Sequence, residues 1–310
     1  MQSESTQPPE SWLAFELNIL RRLEFKSVAI PITGNPVLGR YLKNWDTRVF
    51  ANDLLRSSYL EAVSVIENND FQLSDTETEL ILEDAYVPQF ELKNPSLRTW
   101  FGETDAWWFD NVRSNIERLD SEMSKAVAIS IVFEVGDYAL SFDDETRRLR
   151  QPFSKVFRKF RGIHAEPVDN HTQNTCQNKN ANEFTAENYT DLLFLRLPRP
   201  RNVSLKRYLG RDAWREEWVR GRDDIWNELE NKMDGRLGAR VETKSQYLGL
   251  LEDLFKTASH IPKWAIVLSE NTFVSTQDIV ESLAKVKRVD TIYTKDFTEL
   301  MGTKAVIITA

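Results

Sequence analysis

Apolar residues recur with two different periods along this chain, and the change of period marks out its elements. Trp12, Phe15, Leu17 and Leu20 fall on a polar and acidic background that starts at Ser11. That spacing predicts an amphipathic helix ending near Leu23, after a polar tail. From Ser27 the run SVAIPI is too short and too apolar for a helix. It is bounded by Thr33, Gly34, Asn35 and Pro36, which predicts a buried strand and a turn, with a helix over 37–44. RVFAN (48–52) then reads as a second strand and 56–68 as a second helix. A βαβα succession implies a parallel sheet joined by right-handed crossovers.

The middle of the chain, 74–161, shows helical periodicity without clear strands. Within it KAVAISIVFEVGDYAL (125–140) is apolar nearly all round, as expected of a helix packed on both sides. The stretch 162–184 is rich in Asn, Thr and Gln with little to bury, and reads as a flexible loop. Strand patterns return at 191–197, 264–269, 289–294 and 305–309, with helices predicted at 245–259 and 275–285. Ser275 followed three residues later by Asp278 caps the second of these. The last two strands leave no room for a helix between them and so predict an antiparallel hairpin. No internal repeat is visible.

With 310 residues, 41% hydrophobic and 28% charged, the chain can bury one large core or two modest ones. No apolar run reaches the roughly 20 residues that cross a bilayer, and the start resembles no signal peptide. The expectation is a cytoplasmic protein without a membrane partner. A single cysteine, Cys176, excludes an internal disulfide and a multi-thiolate zinc site. The net charge of -8 gives no bulk attraction for DNA, yet two segments are locally basic. One carries Arg147, Arg148, Arg150, Lys155, Arg158, Lys159 and Arg161 without an acid; the other runs over 196–222. Such runs are either solvated faces or phosphate-binding surfaces.

A glycine in the first βα turn with an acid about 20 residues further on is the general nucleotide-site pattern, the acid meeting a ribose. Gly34 and Asp53 stand in that relation. The longer string AIPITGNPVLGRYLKNWDTRVFANDLLRSSYLEAVSVIENN (29–69) resembles the first two motifs of Dam-like adenine-specific DNA methyltransferases. WWFDNVRSNIERL (107–119), DLLFLRLPRP (191–200) and the segment 247–297 continue the resemblance in order. It implies an α/β, Rossmann-like S-adenosylmethionine-dependent methyltransferase fold, with a mostly parallel sheet, a C-terminal antiparallel hairpin and a helical insertion. The chain then divides into 1–26 (tail and helix), 27–73 with 185–310 (core), 74–161 (helical insertion) and 162–184 (flexible loop). S-adenosylmethionine is the cofactor implied, at Thr33, Gly34, Asn35, Asp53 and Leu54, with no metal.

Two departures bear on chemistry. The family's catalytic strand ends in Asp-Pro-Pro-Tyr, whose acid holds the adenine amine; the matching positions here are Arg196, Leu197, Pro198 and Arg199. A guanidinium has donors only and cannot accept that hydrogen bond. In the cofactor loop, Ile30 stands where the family has an acid and Pro36 where it has a second glycine. The sequence therefore reads as a catalytically inactive relative, a DNA-binding or partner-binding scaffold subunit in restriction-modification or phage defence. Its expected partners are DNA, a catalytic methyltransferase or another protein subunit. Arg196, Arg199, Arg201, Lys206 and Arg207, with Arg158 and Lys159, are the candidate nucleic-acid contacts. The alternative is an active adenine methyltransferase with an atypical motif.

Three other groupings are weaker. Asp234, Glu242 and Lys244 resemble the carboxylates and lysine of a metal-dependent nuclease but sit in a glycine-rich turn context. His164, His171 and Cys176 lack zinc-ligand spacing. Trp100, Phe101, Trp107, Trp108 and Phe109 suit either base stacking or a core.

Overall fold

The computed structural model describes residues 10–84, 91–143, 145–270 and 273–310; the polar tail, 1–9, lies outside them. Seven strands form one sheet: β1 (Ser27–Ile30), β2 (Arg48–Asn52), β3 (Thr175–Gln177), β4 (Leu192–Arg196), β5 (Lys263–Ser269), β6 (Thr291–Asp296) and β7 (Lys304–Thr309). Their order across the sheet is β3-β2-β1-β4-β5-β7-β6. β1, β2, β3, β4 and β5 run parallel, and β7 lies antiparallel between β5 and β6. The fold is α/β with a mostly parallel sheet and a C-terminal antiparallel pair, compatible with a Rossmann-like architecture. At β1 the order reverses: β2 pairs with one side, Ser27 opposite Arg48, and β4 with the other, Val28 opposite Leu192.

The helices are α1 (Glu10–Leu20), α2 (Val37–Lys43), α3 (Arg56–Ala62), α4 (Asp75–Ile81), α5 (Glu103–Ile116), α6 (Glu122–Leu140), α7 (Phe153–Ile163), α8 (Ala181–Glu187), α9 (Leu205–Leu209), α10 (Ala213–Arg220), α11 (Trp226–Met233), α12 (Lys244–Thr257), α13 (Thr276–Ala284) and α14 (Thr298–Met301). They cover both faces of the sheet, which explains why the strands read as continuous apolar runs. Alternate strand residues divide between the two cores. Val28, Ile30, Leu192, Phe194, Ala265 and Val267 face the layer of α1–α3, α5–α7 and α10. Ala29, Leu193, Leu195, Trp264, Ile266 and Leu268 face α8, α12 and α13.

The expected helical middle is present, and its helices share the first core rather than building their own. α6 is buried nearly all round, capped by a reciprocal Ser121–Ser124 box. Gly136 on α6 is required by packing, because a β-carbon there would come within 2.1 Å of the Trp214 ring.

Three expectations need correction. The second helix does not continue regularly to 68; after Ala62 it widens into a π-helical turn, Val63–Glu67. The connection between β6 and β7 does hold a helix, the single turn α14. The segment expected to be a flexible loop contains β3 and the start of α8. Its asparagines replace apolar burial as fasteners. Asn174 accepts the Val49 N–H at 2.9 Å, Asn170 donates to the Thr47 carbonyl at 2.8 Å, and Asn178 donates to the Asp53 carbonyl at 2.7 Å. Backbone groups of β2 and its flanks that the short β3 leaves unpaired are satisfied by side chains.

Candidate functional site

A cavity of about 680 Å³ opens at the carboxyl ends of β1, β2, β4 and β5. This is the switch point of the sheet, where open α/β folds place their ligands. Its floor is the β1–α2 loop. Thr33 exchanges hydrogen bonds with the Asn52 backbone, its hydroxyl donating to the carbonyl at 2.9 Å and accepting the N–H at 3.2 Å. Gly34 has φ +54°, a conformation glycine adopts without strain, and this turns its N–H toward Asp53. That N–H donates to Asp53 Oδ2 at 2.9 Å, while Leu55 N–H donates to Oδ1 at 2.9 Å. Asn35 closes the turn by accepting the Val37 N–H at the start of α2. Gly39 of α2 serves packing: a β-carbon there would meet Ile66 at 2.5 Å.

Thr33, Gly34, Asn35, Asp53 and Leu54 all line this cavity, together with Arg196, Leu197, Pro198, Arg199 and Arg201. The structure therefore unites the cofactor candidates and the tetrapeptide 196–199 in one place. Burial pushes the Asp53 carboxyl up to about 6, against the opposing pull of the Gly34 and Leu55 N–H groups.

The cations are mostly spent. Arg196 makes a two-pronged pair with Glu16 of α1, at 2.8 and 2.7 Å, and the Glu16 side chain is only 1% exposed. Arg201 is a structural strut rather than a phosphate contact, and here the expectation is corrected. Its side chain is 2% exposed and holds both oxygens of Glu230 as well as the Gly238 and Val203 carbonyls. Lys206 pairs with the buried Glu217 at 2.6 Å. Arg199 and Arg207 are exposed. Lys206, Arg207, Arg158 and Lys159 do not line the cavity. The last two sit on α7, where Arg158 pairs with Glu79 of α4 and Lys159 is exposed.

The far wall was not found from sequence. α3 contributes Ser57, Ser58 and Glu61, and the segment entering α10 contributes Asp212 and Arg215. Burial raises Glu61 to about 7, although Arg215, at 3.3 Å, opposes the shift. Beneath them Glu216, fully buried, accepts the Arg56 and Ser57 N–H groups at the start of α3 and the Ser57 hydroxyl. Tyr247 donates to the Pro198 carbonyl at 2.9 Å and so helps fix the tetrapeptide 196–199. A sequence signal did exist for Glu16. It falls inside the apolar stripe Trp12, Phe15, Ile19, Leu20, and an acid there requires a buried partner.

Fit to S-adenosylmethionine is uneven. Asp53 and the Gly34 turn suit the ribose of a nucleoside, each carboxylate oxygen retaining an acceptor site. The amino-acid end finds no counterpart at the family's positions: Ile30 is buried and apolar, and Pro36 has no N–H to offer.

The other groupings do not assemble into a site. His164 lies by Glu134, His171 by Asp169, and Cys176 is buried in β3. Lys244 pairs with Asp278, which is not one of the nuclease-like acids. Trp107, Trp108 and Phe109 belong to the α5 core, with Phe109 fully buried. Among the described residues no helix is long and apolar enough to cross a membrane. Comparison with known proteins found no matching family model and no matching curated relative.

Proposed function

We propose that the chain is a non-catalytic relative of adenine-specific DNA methyltransferases that keeps the nucleoside half of the cofactor cavity and works as a binding subunit. One observation carries the reading: the cation at the place of the catalytic acid, Arg196, is locked onto the buried carboxylate of Glu16. A locked guanidinium neither accepts the adenine amine nor swings aside to admit another acceptor. The Rossmann-like sheet, the antiparallel C-terminal pair and the Gly34–Asp53 turn support the same family reading.

The charge arrangement favours a partner protein or a nucleoside over DNA held in the cleft. Arg196, Arg201 and Lys206 each carry a carboxylate, so they release few counterions on meeting a phosphate backbone.

Calorimetric titration with S-adenosylmethionine and S-adenosylhomocysteine, sensitive to dissociation constants of about 100 μM, tests this. Saturable binding lost in Asp53→Ala, with no methyl transfer to adenine-containing DNA, is the expected result. Transfer by the unaltered chain overturns the non-catalytic reading. Absence of heat from both ligands removes the nucleoside half of the proposal.

A further inference from the structure

Two sequence features left unused by the first cavity, the basic run after Arg147 and the aromatic cluster after Trp100, meet at a second recess of about 340 Å³. Arg147, Arg150 and Arg211 line it, with apolar walls at Trp100, Leu140 and Phe142. The 3-10 turn Gly210–Asp212 divides the two cavities: Arg211 lines this recess and Asp212 the first.

Among the described residues that line the recess, three guanidinium groups face two carboxylates, Asp105 and Asp143. Asp105 takes Arg147 at 2.8 Å and one terminal nitrogen of Arg150 at 2.9 Å. Among the described residues Arg211 donates to the Leu140 carbonyl, at 3.4 Å. A guanidinium has five N–H donors, so Arg150 and Arg211 hold donors in reserve. The Arg147 guanidinium packs against Gly102, where a β-carbon would come within 2.1 Å of it. Together these two forks keep more N–H groups than the two oxygens of a single carboxylate would use. They match the three terminal oxygens and near-double charge of a phosphate monoester.

We propose that this recess binds the phosphate group of a small phosphomonoester, with Arg211 and Arg150 on its oxygens and Phe142 against its organic part. The site is independent of the first cavity.

The full chain is titrated at low salt with inorganic phosphate, with phenyl phosphate, which has no ribose for the first cavity, and with a single-stranded oligonucleotide lacking terminal phosphates. Saturable binding of the first two is expected, the phenyl ester tighter. Arg211→Glu, a surface change whose fold is checked by an unaltered Tm, weakens both by roughly tenfold or more. Phe142→Ala weakens the phenyl ester and spares phosphate, and Asp53→Ala changes neither. The proposal fails if neither ligand saturates, if Arg211→Glu binds as before, if Asp53→Ala abolishes binding, or if the oligonucleotide alone binds.

Discussion

Glu16 and Arg196 form a pair in which each side chain answers for the other's burial. The acid is 1% exposed and the guanidinium 15%, so neither keeps the water it would need alone. Arg196→Met leaves the acid uncompensated and should cost about 3–5 kcal/mol in urea unfolding. Glu16→Leu combined with Arg196→Met should recover most of that loss, because two apolar groups can replace a buried pair. A single substitution costing under about 1 kcal/mol would show the pair to be dispensable. The turn chemistry of this site was legible in the sequence, since Gly34, Asn35 and Asp53 act on backbone groups close by. The partner of Arg196 was not, because it lies 180 residues away, and only the placement of Glu16 in an apolar stripe hinted at it.

At the scale of elements, apolar runs were read well and polar fasteners poorly. β1, β2, β4, β5 and β7 are buried strands whose sequence shows it. β3 is only Thr-Cys-Gln at an edge, and the asparagines around it look like disorder until their acceptors are known. Asn174→Ala removes the acceptor for the buried Val49 N–H and should destabilise the fold by about 1–3 kcal/mol. Hydrogen exchange at Val49 is the direct measure, and unchanged protection there would sink the fastening account. α6 offers the converse test. Gly136→Ala relieves helix propensity but drives a methyl into Trp214. The overpacking should win, with a net loss of about 1–3 kcal/mol seen as a lower Tm; a raised Tm would mean that Trp214 gives way freely.

For the molecule as a whole, two carboxyls lining one cavity titrate high, Asp53 near 6 and Glu61 near 7, both through burial. Their folded values lie above the ordinary 3.8 and 4.5. The stability each contributes is therefore complete below its ordinary value and is lost as pH rises through its folded value. Between about pH 5 and 7 the wild-type Tm should fall with rising pH relative to Asp53→Asn/Glu61→Gln; parallel curves would show that the cavity keeps both acids hydrated. The far wall of that cavity escaped the sequence reading for the same reason that Glu16 did. Arg215 meets Glu61 across 154 residues, and no local pattern announces the meeting. The pairing of α1 with β4 also has a consequence for synthesis on the ribosome. Glu16 emerges early, and its counterion follows only 180 residues later. Until then the acid is best left in water, so α1 docks late, and this helix stays open to chaperones and proteases while the next 180 residues are made.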